Sequence, residues 1–423
     1  MNSPPRPPTT NHLRGHPREF EQIIQEKSHN FVGREFVFMA INNFLDRHRH
    51  GYFTIIGAPG SGKSAILAKY VTNNPQVIYY NAELEGKNRA DEFLINICTQ
   101  LINQYSLNYT SLPDNATEGS WFFSSLLQQI SDELESHQKL IIAIDGLNCI
   151  DRNSQPSGTN LFYLPRYLPD KVYFLLTRRP FLREKSGLLI ETPSQSLDLA
   201  DYPEENRRDI QAYIQSYLTP LTPLPYEGRV GQDYSPPLEG EGLGERSNLK
   251  SWLSNHQINE EEFSDRLTTL SENNFMYLSQ VISAIPPVIF ANVENFYSIP
   301  FQYNQLPPGL EAYYQQHLHK MFPPEQDTEH STDVLNVLTQ QQKAISVEAL
   351  AQTALRQSYM TTAAIAQIID TDEYEVEEVL ENWLEFLQQQ KIASETHYSL
   401  YHSNFRDWLG KQQIKPSEKY PRT

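Results

Sequence analysis

Two cysteines in 423 residues exclude a disulfide framework, and Cys98 and Cys149 lie too far apart for a paired metal-ligand motif. Both sit in apolar stretches, where a free thiol behaves as a small hydrophobe. Positive charge is scarce too: 34 Lys and Arg stand against 52 Asp and Glu, a formal net charge of -18. Each phosphate gripped by a nucleic-acid-binding surface needs a basic partner, so nucleic acid and anionic membrane are disfavoured as partners. No apolar run approaches the roughly 18 residues of a membrane-spanning helix. The N-terminal "MNSPPRPPTT" lacks the apolar core of a secretory signal. A soluble, cytoplasmic protein is expected. Apolar residues make up only 39% of the chain, which carries 28 Pro. Some segments are therefore expected to lie outside any packed core.

What is present is an alternation. Residues 1–18 are Pro-rich and polar and are expected to be a disordered arm. Residues 19–200 then alternate short apolar runs with segments of helical period. The runs are Tyr52–Ile56, Val77–Tyr80, Leu140–Ile144, Val172–Leu176 and Leu188–Ile190. Strands that are apolar almost throughout, separated by helices, predict an α/β domain with a parallel sheet covered on both faces. Residues 201–325 have helical spacing and predict an all-helical domain. It is interrupted at 219–247, where five Pro and five Gly occur without periodicity, a texture expected of a disordered insertion. Residues 331–410 read as a small separate domain. "YEVEEVLENWLEFLQQQ" puts Val376, Val379, Leu380, Trp383, Leu384 and Leu387 on one helical stripe, and "KIASETHYSLY" suggests a hairpin after it. Helices followed by a hairpin suggest a winged helix. Residues 411–423 are expected to be a disordered tail.

The strongest motif is "GYFTIIGAPGSGKSAILAKYV". It holds Gly57, four residues, then Gly62-Lys63-Ser64, between an apolar strand and an amphipathic helix, the context a phosphate-binding loop requires. Gly57, Ala58, Pro59, Gly60, Ser61 and Gly62 form the turn whose amides converge on phosphate oxygens. The helix through Lys63, Ser64 and Ala65 aims its positive end at the same anion. Lys63 is positioned to reach the outer phosphates and Ser64 to hold Mg²⁺. Asp145, ending the run "LIIAID", supplies a carboxylate that binds the same Mg²⁺ directly or through water. In "VYFLLTRRP", Thr177 and Arg179 end another buried run, near where a γ phosphate would lie.

Together these segments resemble the STAND class of signal-transduction P-loop ATPases, with a NACHT- or AAA-like core of the kind found in bacterial WD-repeat proteins. The resemblance covers residues 20–410 apart from the insertion. "NFVGREF" is similar to the family's Gly-Arg-Glu box; by that likeness the backbone of Val32 and the side chain of Arg34 lie against the adenine. "TRRP" resembles the family's Thr-Ser-Arg-Pro sensor, with Arg179 at the sensor position. "NFMYLSQVI" resembles the helix that closes the nucleotide module. "YSLYHSNFRDWL" resembles the end of the family's winged helix, which makes His402 the match for a histidine that touches the β phosphate of ADP.

The resemblance implies ATP or ADP with Mg²⁺ as cofactors, and protein partners acting as sensor or effector, with nucleotide-dependent self-association. It also exposes a gap. The family's second acidic motif runs Asp-Gly-Leu-Asp-Glu, whereas here Asp145-Gly146-Leu147 is followed by Asn148-Cys149. Asn cannot accept a proton from attacking water. Asp151, two residues on, substitutes only if the loop bends back. The expectation is a nucleotide-binding switch with slow or absent hydrolysis. Two alternatives stay open: an active AAA+-like ATPase of the motor or initiator type, and a winged-helix DNA-binding regulator. The last is opposed by charge, since residues 331–409 carry four Lys and Arg against twelve Asp and Glu. The family's repeat array and effector do not occur in these residues, so either partners supply them or the chain is a remnant of a longer one.

Overall fold

The structure, a computed structural model, describes residues 16–84, 86–156, 158–181, 186–219, 242–285, 303–322, 330–340, 360–383, 386–392, 395–400 and 403–412. Residues 1–15 of the expected arm, 220–241 of the expected insertion and 413–423 of the tail lie outside the described residues, as does His402; Arg18 already opens a helix, and 242–247, expected to be disordered, begin another. The chain divides into two compact units, 1–291 and 292–423.

The first unit is built on a parallel sheet of five strands: β1 (Gly51–Ile56), β2 (Ile78–Asn81), β3 (Leu140–Asp145), β4 (Val172–Arg178) and β5 (Ser194–Asp198). Their spatial order is β2-β3-β4-β1-β5, so β4 separates β1 from β3. The three central strands are buried along nearly their whole length, as their unbroken apolar runs require. Around them lie α1 (Arg18–Ser28), α2 (Glu35–Arg47), α3 (Lys63–Asn73), α4 (Ala90–Gln104) and α5 (Trp121–Glu133). Aromatic contacts fill the core. Phe93 stacks on Phe162 with ring centroids 4.5 Å apart, and Tyr52 on Phe174 at 4.9 Å. Helix α1 packs on α3 and brings Phe20 edge-on to Tyr80, centroids 5.4 Å apart. Each such fully buried side chain contributes about 1.5–3 kcal/mol by burial alone.

The fifth strand is not where the apolar run predicted it. Leu188–Ile190 forms no strand; Asn160 holds it instead, accepting from Leu189 N at 2.6 Å and donating to Leu189 O at 2.9 Å. The sheet takes the polar segment Ser194–Asp198, which pairs only with β1. An edge strand has one free side and does not need to be apolar throughout.

Four helices complete this unit: α6 (Pro203–Leu218), α7 (Gly242–Asn255), α8 (Glu260–Leu270) and α9 (Phe275–Ser283). Their starts follow the sequence. Asn259 accepts from Glu261 N at 2.7 Å, with Glu260, Glu261 and Glu262 in the first turn of α8. Asn274 accepts from Tyr277 N at 3.1 Å to cap α9.

In the second unit the described residues form α10 (Leu310–Met321), α11 (Ser331–Gln340), the helices Thr362–Ile369, Glu373–Asn382 and Ser403–Leu409, and a small antiparallel sheet of order β6-β8-β7. Its strands are β6 (Met360–Thr361), β7 (Leu387–Ile392) and β8 (Glu395–Leu400). The long stripe expected across 374–390 is therefore cut. The helix stops at Asn382, and "LQQQKI" becomes a strand paired from Leu387↔Leu400 to Ile392↔Glu395. Cross-strand pairing overrides the helical preference of Gln and Leu here. Trp383 ends the helix with its indole donating to Met321 O at 2.8 Å in the unit's core. No helix among the described residues is long and apolar enough to cross a membrane.

Candidate functional site

Parallel strands end on one edge, so their C-terminal residues meet there. Ile56 pairs with Arg178, Ile144 with Leu176, and Asn81 with Asp145. The chain leaves β1 toward β2 on one side, while β4 hands on to β5 across β1. Ligands of open α/β sheets bind at such a reversal of strand order.

The loop Gly57–Gly62 leaves β1 at that edge. Amides that converge on an anion leave the carbonyls facing outward, and those need partners of their own. Each has one. Lys63 Nζ donates to Gly57 O at 2.8 Å and Ala58 O at 2.9 Å. Asn274 Nδ2 donates to Pro59 O at 2.9 Å. Phe275 N and Met276 N donate to Gly60 O at 3.0 and 3.3 Å. Arg34 Nη2 donates to Ser61 O at 2.7 Å. Gly60 has φ +78°, and a Cβ there would lie 2.2 Å from Asn274 Oδ1, so only glycine admits this close approach. The first-turn amides of α3, on Lys63, Ser64 and Ala65, have no acceptor within the helix.

Arg34 is the hub of this support. It is 2% exposed. Its backbone N–H donates to Asp209 Oδ2 at 3.1 Å, its Nη1 to Asn206 Oδ1, and its Nε lies 3.6 Å from Asp209 Oδ2. Its guanidinium sits 4.8 Å from the centroid of the Phe275 ring, within cation–π range. Burial lowers the Arg34 pKa to about 10, against the opposing pull of Asp209. Burial likewise raises Asp209, against Arg34. Val32 is half-buried two residues before Arg34.

Asp145 is fully buried and accepts from the Thr177 hydroxyl, with Tyr79 OH 3.5 Å from its other oxygen. Thr177 Oγ1 in turn accepts from Gly146 N at 2.9 Å. The end of β4 thus orients the carboxylate at the end of β3. Lys63 is lowered by burial, opposed by the charges of Asp145 and Glu83, while Arg179 pushes it down further. Arg179 therefore belongs to this charged cluster. Arg178 turns away, its guanidinium 3.4 Å from the Phe181 ring centroid and its Nη2 donating to Ser186 O at 3.2 Å.

Asn148 Oδ1 accepts from Arg179 N at 3.3 Å, and Asn148 Nδ2 lies 3.1 Å from Cys149 Sγ. Asp151 Oδ1 caps the next turn by accepting from Asn153 N at 2.9 Å, and its charge bears on Arg89. Glu83, which the sequence did not single out, lies against Gly146. Its side chain is exposed, yet nearby protein atoms still crowd the carboxyl; that desolvation, then the charge of Asp145, pushes it up.

Three features of the site were missed in the sequence: Glu83, Asn274 and the Asn206–Asp209 cradle of Arg34. Asn274 carried a legible signal as an N-cap before an apolar helix. Its bond to Pro59, 215 residues away in the chain, carried none.

The residues present fit a nucleotide with Mg²⁺. Ser61 Oγ, in the loop, is buried with no hydrogen-bond partner among the described residues. Among the described residues no group of three or more His, Cys, Asp or Glu could hold a metal by itself.

No family model matches the sequence, and no curated protein matches it. Among solved structures, the chain is similar to Drosophila ORC bound to DNA, at 12% identity and a TM-score of 0.37, over 92% of this chain and 98% of that one. It is also similar to the Thermotoga maritima RuvB Holliday junction branch migration motor, at 11% identity and a TM-score of 0.28, over 92% and 99%. Likeness this distant assigns no residue and no activity.

Proposed function

We propose that this protein is an ATP- and ADP-binding switch of the STAND signal-transduction type, with slow hydrolysis. One observation carries the reading. The carbonyls of the phosphate loop are held by segments from outside the sheet: Arg34 ahead of β1, and the first turn of α9 far beyond β5. A nucleotide bound at the loop's amides therefore acts on the elements that hold its carbonyls. A switch needs that linkage, because a ligand shifts an equilibrium only by binding its two states differently.

In this reading Lys63 swings from the Gly57 and Ala58 carbonyls to the outer phosphates, and the amides of the first turn of α3 take the remaining oxygens. The Ser64 hydroxyl and the buried Asp145 carboxylate would hold Mg²⁺, which would supply charge to offset the phosphates. Arg179, already within the field of Lys63, senses the γ phosphate. Val32 and Arg34 flank the base, Arg34 chiefly by fixing the loop. The second unit, with its helices and small antiparallel sheet, is the winged-helix module of this scheme; His402, matched by resemblance, lies outside the described residues. Partners are proteins, and copies of the chain associate according to the nucleotide bound, in the cytoplasm. The acidic balance of residues 331–409 argues against a DNA-binding regulator.

The test is to purify the chain, identify any co-purifying nucleotide by chromatography, and titrate Mg²⁺-ADP and Mg²⁺-ATP by calorimetry. Bound ADP is expected, with turnover well below the order of 1 s⁻¹ and binding abolished by Lys63→Ala. Absence of adenine and guanine nucleotide binding by folded protein would overturn the proposal. An active AAA+-like ATPase is the second reading, favoured by the carboxylate of Glu83 beside Asp145; brisk turnover would select it.

A further inference from the structure

We infer that Glu83, not a residue of the 148–151 turn, is the general base that takes the proton from water when a nucleoside triphosphate is cleaved at this site. The inference rests on the nucleotide reading and supplies the carboxylate which the Asn148-Cys149 substitution removed.

The geometry starts from the register of β2 on β3. Asn81 pairs with Asp145, and Ala82 N donates to Asp145 O at 2.9 Å, carrying the chain past the strand end in step with its neighbour. Asn81 Oδ1 then accepts from Glu83 N at 2.7 Å, a side-chain turn that redirects the backbone over the end of β3. The result is close contact with Gly146: a Cβ on that glycine would lie 2.5 Å from Glu83 Cγ and 3.3 Å from Glu83 N. Gly146 has φ +77°. The Gly of "DGLN" thus makes room for a side chain arriving from the adjacent strand.

The electrostatics agree with that placement. Asp145, then Lys27, Arg179 and Lys63, act on Glu83, and Glu83 and Asp145 both act on Lys63. The Glu83 carboxyl carbon lies 3.4 Å from where a Cβ on Gly146 would stand, just past the strand end that carries Asp145. The other candidates are engaged elsewhere. Asn148 has no basic oxygen to offer and accepts from Arg179 N, while Asp151 caps its own turn and faces Arg89.

The step balances. A water oxygen forms a bond to the γ phosphorus, and the bond from that phosphorus to the β–γ bridging oxygen breaks, its electron pair leaving on ADP. The water proton passes to the Glu83 carboxylate and is later released through its exposed edge. The products are ADP and inorganic phosphate. Lys63 and Arg179 offset the charge that builds on the phosphate oxygens.

The experiment compares full-length wild type, Glu83→Gln, Glu83→Asp, Asp151→Asn and Lys63→Ala. It reads phosphate release under saturating Mg²⁺-ATP, Mg²⁺-ADP affinity by calorimetry, and thermal midpoint as a check on folding. Glu83→Gln is expected to lower phosphate release by about 100-fold or more, the usual worth of a general base, with ADP affinity retained. Glu83→Asp, which keeps a shortened carboxylate, should keep a measurable part of the rate. The acid limb of the wild-type pH–rate profile should disappear in Glu83→Gln, which a merely structural role would not cause. Three results overturn the inference: an unchanged rate in Glu83→Gln, a rate abolished only by Asp151→Asn, or no release above Lys63→Ala in a wild type that binds nucleotide. A wild type that binds no nucleotide overturns the function reading itself.

Discussion

Replacing Arg34 by Met tests whether the hub supports the loop. Met preserves much of the apolar volume but removes every donor of the guanidinium. Asp209, 8% exposed, would then be left without its cation, and Ser61 O and Asn206 Oδ1 without a donor. Breaking a buried ion pair by removing one partner costs about 3–5 kcal/mol. The pair as a whole is worth much less, because burial outweighs attraction on both sides: it lowers Arg34 to about 10 and raises Asp209. At about 2–4 °C per kcal/mol for a domain of this size, Arg34→Met should lower the unfolding midpoint by roughly 6–20 °C. Adding Asp209→Asn should then cost far less than it does in the wild type, because the cation has already gone and the second change removes the carboxylate left uncompensated. The assay is scanning calorimetry on both single variants and the double variant, read as a double-mutant cycle. A midpoint for Arg34→Met within about 2 °C of wild type, or strictly additive effects, would refute the reasoning. Nucleotide affinity should fall in the same variant, since Ser61 O is no longer held away from the amides.

Gly60→Ala should cost about 1–2 kcal/mol of stability from its left-handed backbone and from displacing Asn274, with Asn274→Ala recovering part of the loss in chemical denaturation. Asn274→Ala alone removes the α9 cap as well as the Pro59 contact; about 1 kcal/mol is expected for the cap, together with weaker Mg²⁺-ADP binding by calorimetry. The pH dependence follows from the raised carboxyl of Glu83. A carboxyl raised on folding contributes stability that is full below its unfolded value, about 4.3, and lost as pH rises through its folded value. Glu83→Gln should therefore raise the thermal midpoint near neutrality, and the gain should vanish on acidification below that range. Thr177→Val removes the hydroxyl donor to Asp145 and should weaken Mg²⁺-dependent binding in a magnesium titration, leaving Mg²⁺-free nucleotide binding nearly unchanged.

Which parts were legible depends on where the determining contacts lie. The Gly-rich turn between β1 and α3 could be read because its glycines, its lysine and the first turn of α3 sit within eight residues of each other, from Gly57 to Ser64. The central strands could be read because burial on both faces demands apolar residues at every position. Asp145 was legible as the acidic end of such a strand. The edge strand Ser194–Asp198 was not, since pairing on one side leaves its composition nearly free. The helix stripe through 374–390 misled for the same reason in reverse: Leu387 has helical spacing, but pairing with Leu400 decides its state.

By itself, then, the sequence determined a Gly-rich loop between a buried strand and a helix, an acidic strand end and a parallel α/β core, because each follows from neighbours in the chain or from uniform burial. Only the tertiary structure decided that β4 lies between β1 and β3, that Glu83 reaches Gly146, and that Arg34 and Asn274 hold the loop's carbonyls. Those relations join residues distant in sequence, and no local pattern encodes which buried carbonyl a distant donor will satisfy.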